Sequence, residues 1–187
     1  MASMSDLKKN LKILVDGEPY TVVEANFVKP GKGTAFTKCR IKNLITGAVL
    51  ERTWRSSEGV DLASTEVRRM QYLYPDGSHL VFMDNQTYEQ IYLEADVVGD
   101  AVKFLTDNLE CEILFFNEKP VGCEIPTFVE LQITECEPGV RGDTAQGASK
   151  PATLSTGAIV NVPLFVNEGE WLKIDTRTGQ YVERVKK

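Results

Sequence analysis

Tyr20-Thr-Val-Val-Glu-Ala-Asn-Phe27, then Lys29-Pro30-Gly31-Lys32-Gly33, then the run from Thr34 to Leu44: these three stretches decide the fold. The flanking runs are rich in β-branched and aromatic residues, which suit a pleated, half-buried surface, and the Pro/Gly segment between them punctuates both. The pattern predicts a β-hairpin with a basic tip. Thr46-Gly47 turns the chain into a further strand, Ala48-Val-Leu-Glu-Arg-Thr-Trp54. These pieces predict a sheet-based first domain at residues 1–65.

Outward from there, short strands and turns continue to the C-terminus. Gln71-Tyr-Leu-Tyr74 and His79-Leu-Val-Phe-Met83 flank the turn Pro75-Asp-Gly77, and Tyr88 to Leu93 adds a strand. Val97, Val98, Ala101, Phe104 and Leu105 recur at three- and four-residue spacing, which predicts one short helix over 96–108. Cys111 to Phe116 and Lys119 to Ile125 pair across Asn117-Glu118, completing a second domain at 66–127. A third, 128–187, opens with Phe128 to Ile133 and an exposed glycine-rich loop from Pro138 to Ser149. Its strands resume at Ala158 to Val162, Trp171 to Ile174 and Gln180 to Val185. The predicted class is all-β, three small barrels, with OB-like barrels for the second and third.

Composition narrows the function. Hydrophobic residues are 42% and charged residues 26% of 187, the balance of an ordinary folded protein. No run approaches the roughly 18 apolar residues of a membrane span, and the first residues lack a signal peptide's apolar core. A cytoplasmic protein is expected. Cys39, Cys111, Cys123 and Cys136 form no C-x-x-C pair, and His79 is the single histidine, so no zinc set is spelled out. Reduced sheet cysteines and a structural His79 are the expected readings, with no metal and no cofactor. Net charge is -6, but its distribution is uneven: +3 over 1–64, -8 over 65–128 and -1 over 129–187. The first third is basic and the middle acidic.

The tip is the strongest candidate for function. In Lys29-Pro30-Gly31-Lys32 a type II turn is expected, because proline presets φ at the second position and glycine accepts positive φ at the third. Lys32 follows, with Gly33 offering no side chain to shield it. Two strands of eight residues, at roughly 3.3 Å each, hold such a tip about 25 Å from the strand ends. Residues 25–50 carry five Lys/Arg and no Asp or Glu, and Lys38, Arg40 and Lys42 alternate onto one strand face. An extended arm with a single-sign face suits contact with an RNA phosphate backbone, while a plain solvated turn is the other reading of the same residues.

Other motifs lead nowhere. Gly31-Lys32-Gly33-Thr34 lacks the upstream glycine, the following Ser/Thr and the helix of a phosphate loop. Arg141-Gly142-Asp143 and the sequon Asn85-Gln86-Thr87 have no meaning in a chain expected to stay in the cytoplasm. No acid, base and nucleophile converge, so catalysis is not expected. Near the end, Gly139-Val-Arg-Gly-Asp-Thr144 reads as a contact loop, and Tyr181 and Arg184 on the last strand read either as ordinary surface or sheet residues or as an aromatic and a guanidinium for nucleotide bases.

The whole chain resembles the bacterial elongation factor P family. Leu14-Val-Asp-Gly-Glu-Pro-Tyr20 is similar to its opening strand, and Phe27-Val-Lys-Pro-Gly-Lys-Gly-Thr-Ala-Phe36 to its modified hairpin loop. Gln71-Tyr-Leu-Tyr74, Asp76-Gly77 and Phe82-Met83-Asp84 follow its middle pattern. The C-terminal motifs Pro138-Gly-Val-Arg-Gly-Asp-Thr144, Lys150-Pro-Ala-Thr-Leu154, Thr156-Gly-Ala158, Val162-Pro-Leu-Phe165 and Asp175-Thr-Arg-Thr-Gly-Gln-Tyr-Val-Glu-Arg184 come in the family's order.

The resemblance implies a KOW/SH3-like N-terminal barrel and two OB folds in an L shape resembling tRNA. It implies a monomeric factor that binds the ribosome between the peptidyl-tRNA (P) and exit (E) sites and relieves stalling at consecutive prolines. Lys32 falls at the family's modified position, supported by Lys29, Pro30, Gly31 and Gly33, where its extended side chain approaches the acceptor end of the peptidyl-tRNA. Lys38, Arg40, Lys42, Tyr181 and Arg184 are the implied tRNA and rRNA contacts. Gly142, Asp143 and Thr144 match the loop that reaches mRNA near the E site. A lysine at the tip points toward β-lysylation by an enzyme related to lysyl-tRNA synthetase; another adduct, or none, stays open. The alternatives are a specialised paralogue, the two-domain hypusine-containing factor, against which the third block counts, and a generic OB-fold RNA-binding protein.

Overall fold

A computed structural model describes residues 2–138 and 148–187. The first six strands are β1 (Ala2–Ser3), β2 (Lys12–Val15), β3 (Glu18–Val28), β4 (Phe36–Asn43), β5 (Val49–Arg55) and β6 (Gly59–Leu62). They form one sheet in the order β1-β6-β2-β3-β4-β5. Asp16 and Gly17, at φ 54° and 82°, close β2 onto β3 with Val15 opposite Glu18. Two successive positive φ values match the right-handed strand twist. On β4 the alternation is strict: Thr37, Cys39, Ile41 and Asn43 are buried, while Lys38, Arg40 and Lys42 are exposed. Ile13, Val22, Cys39, Ile41 and Trp54 make the centre of this sheet's core.

The second sheet, ordered β11-β10-β7-β8-β9, contains β7 (Thr65–Asp76), β8 (His79–Asp84), β9 (Gln90–Glu94), β10 (Glu110–Phe116) and β11 (Lys119–Glu124). The third, ordered β14-β13-β12-β15-β16, contains β12 (Phe128–Cys136), β13 (Ser149–Leu154), β14 (Ile159–Pro163), β15 (Trp171–Asp175) and β16 (Gln180–Val185). All three sheets curl, as the all-β expectation required. By compactness the chain forms two units: residues 1–68 with 113–122, and residues 69–112 with 123–187.

Two expectations need correction. The helix over 96–108 is an α-turn, Ala95–Val98, followed by a 3-10 segment, Gly99–Phe104. Gly99, at φ 64°, ends the first piece. Phe104 is thereby delivered into the core of the third sheet, 1% exposed, and Thr156 Oγ1 donates to the Lys103 carbonyl at 2.6 Å. Tertiary burial, not helical period, sets the apolar spacing there. The second correction is β13, a strand absent from the sequence reading. Its Pro151 disguises it, yet Pro151 pairs with Asn161 of β14 at the end of the strand, beyond the pairs to β12, which begin at Ala152.

Candidate nucleic-acid interface

The hairpin arm is backed along its length by a third strand. β3 and β4 pair from Tyr20 opposite Asn43 to Val28 opposite Phe36. β5 then pairs along β4, from Lys42 with Val49 to Phe36 with Arg55. The eight residues of β4 match the strand length expected for a tip about 25 Å from the strand ends; what the expectation lacked is the third strand, which follows the arm to the last rung and leaves only residues 29–35 past the paired strands. Beneath the rung Thr37–Trp54, both side chains are buried, and Thr37 Oγ1 donates to the Met4 carbonyl at 3.1 Å. An isolated two-stranded hairpin is marginal in water, so this backing is what makes the tip a fixed point.

Within the loop the positive φ falls on Gly33, at 118°, and not on Gly31. The type II turn is therefore corrected. A connection of this length between Val28 and Phe36 has no need of a two-residue reversal. A Cβ on Gly33 would lie 3.7 Å from Pro30 Cγ, so the backbone at Gly33 folds back beside the half-buried proline ring. Lys29, Gly31, Lys32 and Gly33 are exposed. Lys32 has no hydrogen-bond or ion-pair partner among the described residues. Phe27, 57% exposed, and Val28 stand beside the loop as uncovered apolar side chains.

Lys38, Arg40 and Lys42 do share a face, but it is acid-free only along the sequence. Lys38 Nζ lies 2.8 Å from Glu51 of β5, and the hydrogen bond, then the charge, raises the lysine and lowers the carboxyl from their ordinary values. Arg40 sits in register between Glu24 and Glu51. Lys42 lies between Thr21 and Val49 and faces no acid across either strand. It is the least compensated cation of the three.

In the third sheet a β-bulge brings Tyr181 and Arg184 together. Ile174 opposes Tyr181 while Lys173 opposes Glu183, leaving Val182 as the extra residue. The bulge re-phases β16, so side chains three apart share a face that strict alternation would split. Both residues line one cleft with Phe165, Glu170, Trp171 and Lys187. Arg184 Nη1 donates to Glu170 Oε1 at 3.0 Å, and its guanidinium stands 5.0 Å from the Phe165 ring centroid. Phe165 was not a candidate from sequence. The signal was Pro163, which ends β14 and leaves an aromatic just beyond it where no core position calls for one.

The candidates Gly142, Asp143 and Thr144 lie outside the described residues. Lys150, 6% exposed, donates from Nζ to the Glu137 carbonyl at 2.6 Å, tying the two chain segments that flank them. Among the described residues no three His, Cys, Asp or Glu side chains converge as a metal site, and no helix is long and apolar enough to cross a membrane.

Curled sheets and a lysine-tipped hairpin define an all-β protein of the KOW-like and OB type. Family profiles match in that order: an elongation factor P KOW-like domain over residues 3–60, an elongation factor P OB domain over 65–123 and an elongation factor P C-terminal domain over 129–184. The chain is 51% identical to elongation factor P of Desulfatibacillum aliphaticivorans over 100% of both chains. It is 54% identical to elongation factor P of Desulfitobacterium hafniense, covering 98% of this chain and 100% of that one. Among solved structures, eukaryotic translation initiation factor 5A from Methanococcus jannaschii superposes with a TM-score of 0.53 at 25% identity, over 67% of this chain and 90% of that one. The chain belongs to the elongation factor P family of translation factors.

Proposed function

We propose that the chain, as a translation elongation factor, acts by position rather than by chemistry of its own. It binds the ribosome between the P and E sites, and the backed hairpin presents Lys32 to the acceptor end of the peptidyl-tRNA. There it holds the tRNA in a reactive geometry while the ribosome forms the peptide bond, relieving stalls at consecutive prolines. Proline's ring restricts the backbone and makes it a poor participant, so orientation supplied from outside has most effect at such codons. The observation that carries this reading is the unpartnered Lys32 on a three-stranded support.

In this reading residues 1–65, 66–127 and 128–187 act as three domains in the cytoplasm, as a monomer. Lys32 receives a β-lysyl-type adduct from an enzyme related to lysyl-tRNA synthetase; the exposure of Gly31, Lys32 and Gly33 suits such an enzyme. Arg40 and Lys42, more than Lys38, meet tRNA or rRNA phosphates. Residues 142–144 reach mRNA near the E site. No group of the chain is assigned a catalytic step. A specialised paralogue would share this architecture; one 52%-identical relative carries the name elongation factor P 2, in Geobacter sulfurreducens.

The test is reconstituted translation of a triple-proline message beside a proline-free control, with peptide mass spectrometry of the Lys32 peptide from native material. Acceleration restricted to the proline message, and a mass increment on Lys32, are expected. Equal effects on both messages overturn the positional role; an unmodified Lys32 in fully active protein overturns the adduct.

A further inference from the structure

We propose that Phe165 and Tyr181 form a stacking ridge for unpaired RNA nucleotides, with Lys186 on its phosphate-facing flank. This rests on the ribosome reading above and assigns a binding role to a residue, Phe165, that the family resemblance left without one.

Phe165 is 58% exposed just after β14, where it contributes little to the core. It is nevertheless held in place. Asn167 Nδ2 donates to the Phe165 carbonyl at 3.2 Å, and the Asn167 backbone N–H donates to Glu170 Oε2 at 2.8 Å. The other oxygen of Glu170 receives Arg184, whose guanidinium lies over the ring. One carboxylate thus fixes both the turn that carries the aromatic ring and the cation beside it. An exposed aromatic pre-ordered in this way loses little conformational freedom on binding, which is where affinity is gained.

The ridge divides two open clefts. Phe165 and Tyr181 line both, one of about 810 Å³ and the other of about 740 Å³. These are volumes of the size that small-molecule ligands fill. The first carries Ser149, Asn161, Thr178 and Gln180, short polar groups that can pair with base edges. The second carries Lys186 beside two paired cations, Arg184 on Glu170 and Lys187, whose Nζ lies 3.3 Å from Glu130 Oε2 and 3.9 Å from the Trp171 ring centroid. Aromatic faces beside cations, with amides and hydroxyls at the edges, match a nucleotide better than an apolar peptide.

The experiment uses the full chain with ribosomes stalled on a triple-proline message. Phe165→Leu keeps an apolar side chain but removes the π face, and Phe165→Trp keeps it. The concentration giving half-maximal rescue is expected to rise about tenfold for Phe165→Leu, more than the saturated rate falls, and to return near wild type for Phe165→Trp. A benzoylphenylalanine photoprobe at position 165 is expected to cross-link RNA. Wild-type behaviour of Phe165→Leu, or cross-links to protein alone, overturns the proposal. If wild-type protein gives no rescue at all, it is the ribosome reading that fails, and the photoprobe still tests the ridge.

Discussion

The hairpin tip and the Phe165–Tyr181 ridge are built on opposite plans. At the tip the supporting strands are tied down and the functional side chain is free: Thr37 and Trp54 are buried beneath the rung, while Lys32 is exposed with no hydrogen-bond or ion-pair partner among the described residues. At the ridge the side chains themselves are tied: Glu170 holds Arg184 and the Asn167 backbone, and the Arg184 guanidinium stands 5.0 Å from the centroid of the exposed Phe165 ring. A free lysine on a fixed base suits a group that is to be extended by modification and inserted at a distance. A pre-ordered aromatic–cation set suits recognition of a surface that arrives already shaped. Reach and recognition are separated, and each is stiff where the other is loose.

The largest effect that can break this contrast is removal of the tip's support. Trp54→Ala leaves a cavity under the outer rungs and is expected to cost about 3–5 kcal/mol in denaturant unfolding. Rescue should fall with Lys32 intact, and undiminished rescue by folded Trp54→Ala protein means the support is irrelevant. Gly33→Ala is smaller and more local. The residue sits at φ 118°, a backbone conformation that L side chains rarely adopt, so an added Cβ imposes roughly 1–2 kcal/mol of backbone strain on the loop. Rescue should weaken while the thermal midpoint moves little.

Charge gives a subtler comparison within the arm. If ribosome affinity is followed against salt, Lys42→Ala should flatten the log–log slope by about one, as losing one phosphate contact does. Lys38→Ala should flatten it less, because Glu51 already neutralises that lysine. Equal changes mean the ion pair opens on binding. The smallest effect is on pH. Burial raises the Cys39 thiol above its ordinary range, so the folded state holds its proton longer than the unfolded chain. Stability is then fully present below the ordinary thiol pKa and declines as pH rises through the raised one. Cys39→Ser should show less of that alkaline decline in urea titrations.

Much of this was legible in the sequence because it is local. Alternation along 36–43 gives the exposed cations, and the last strand was placed at Gln180–Val185 as observed. What stayed hidden depends on partners distant in sequence. The neutralisation of Lys38 needs the β4–β5 register, and the shared face of Tyr181 and Arg184 needs the bulge against β15. Pro151 concealed β13 because a proline in a strand is read as a break unless the strand's neighbours are known. The positive φ of Gly33 rather than Gly31 belongs to a longer loop between Val28 and Phe36, which the turn rules for four residues do not describe.

The central claim is that Lys32 on its fixed base sets the rate at which stalled ribosomes resume. The direct measurement is the concentration dependence of triple-proline translation by wild-type protein and Lys32→Ala. The saturated rate is expected to drop at least about tenfold, roughly 1.4 kcal/mol of lost transition-state stabilisation. Equal saturated rates for the two proteins contradict a positioning role for Lys32.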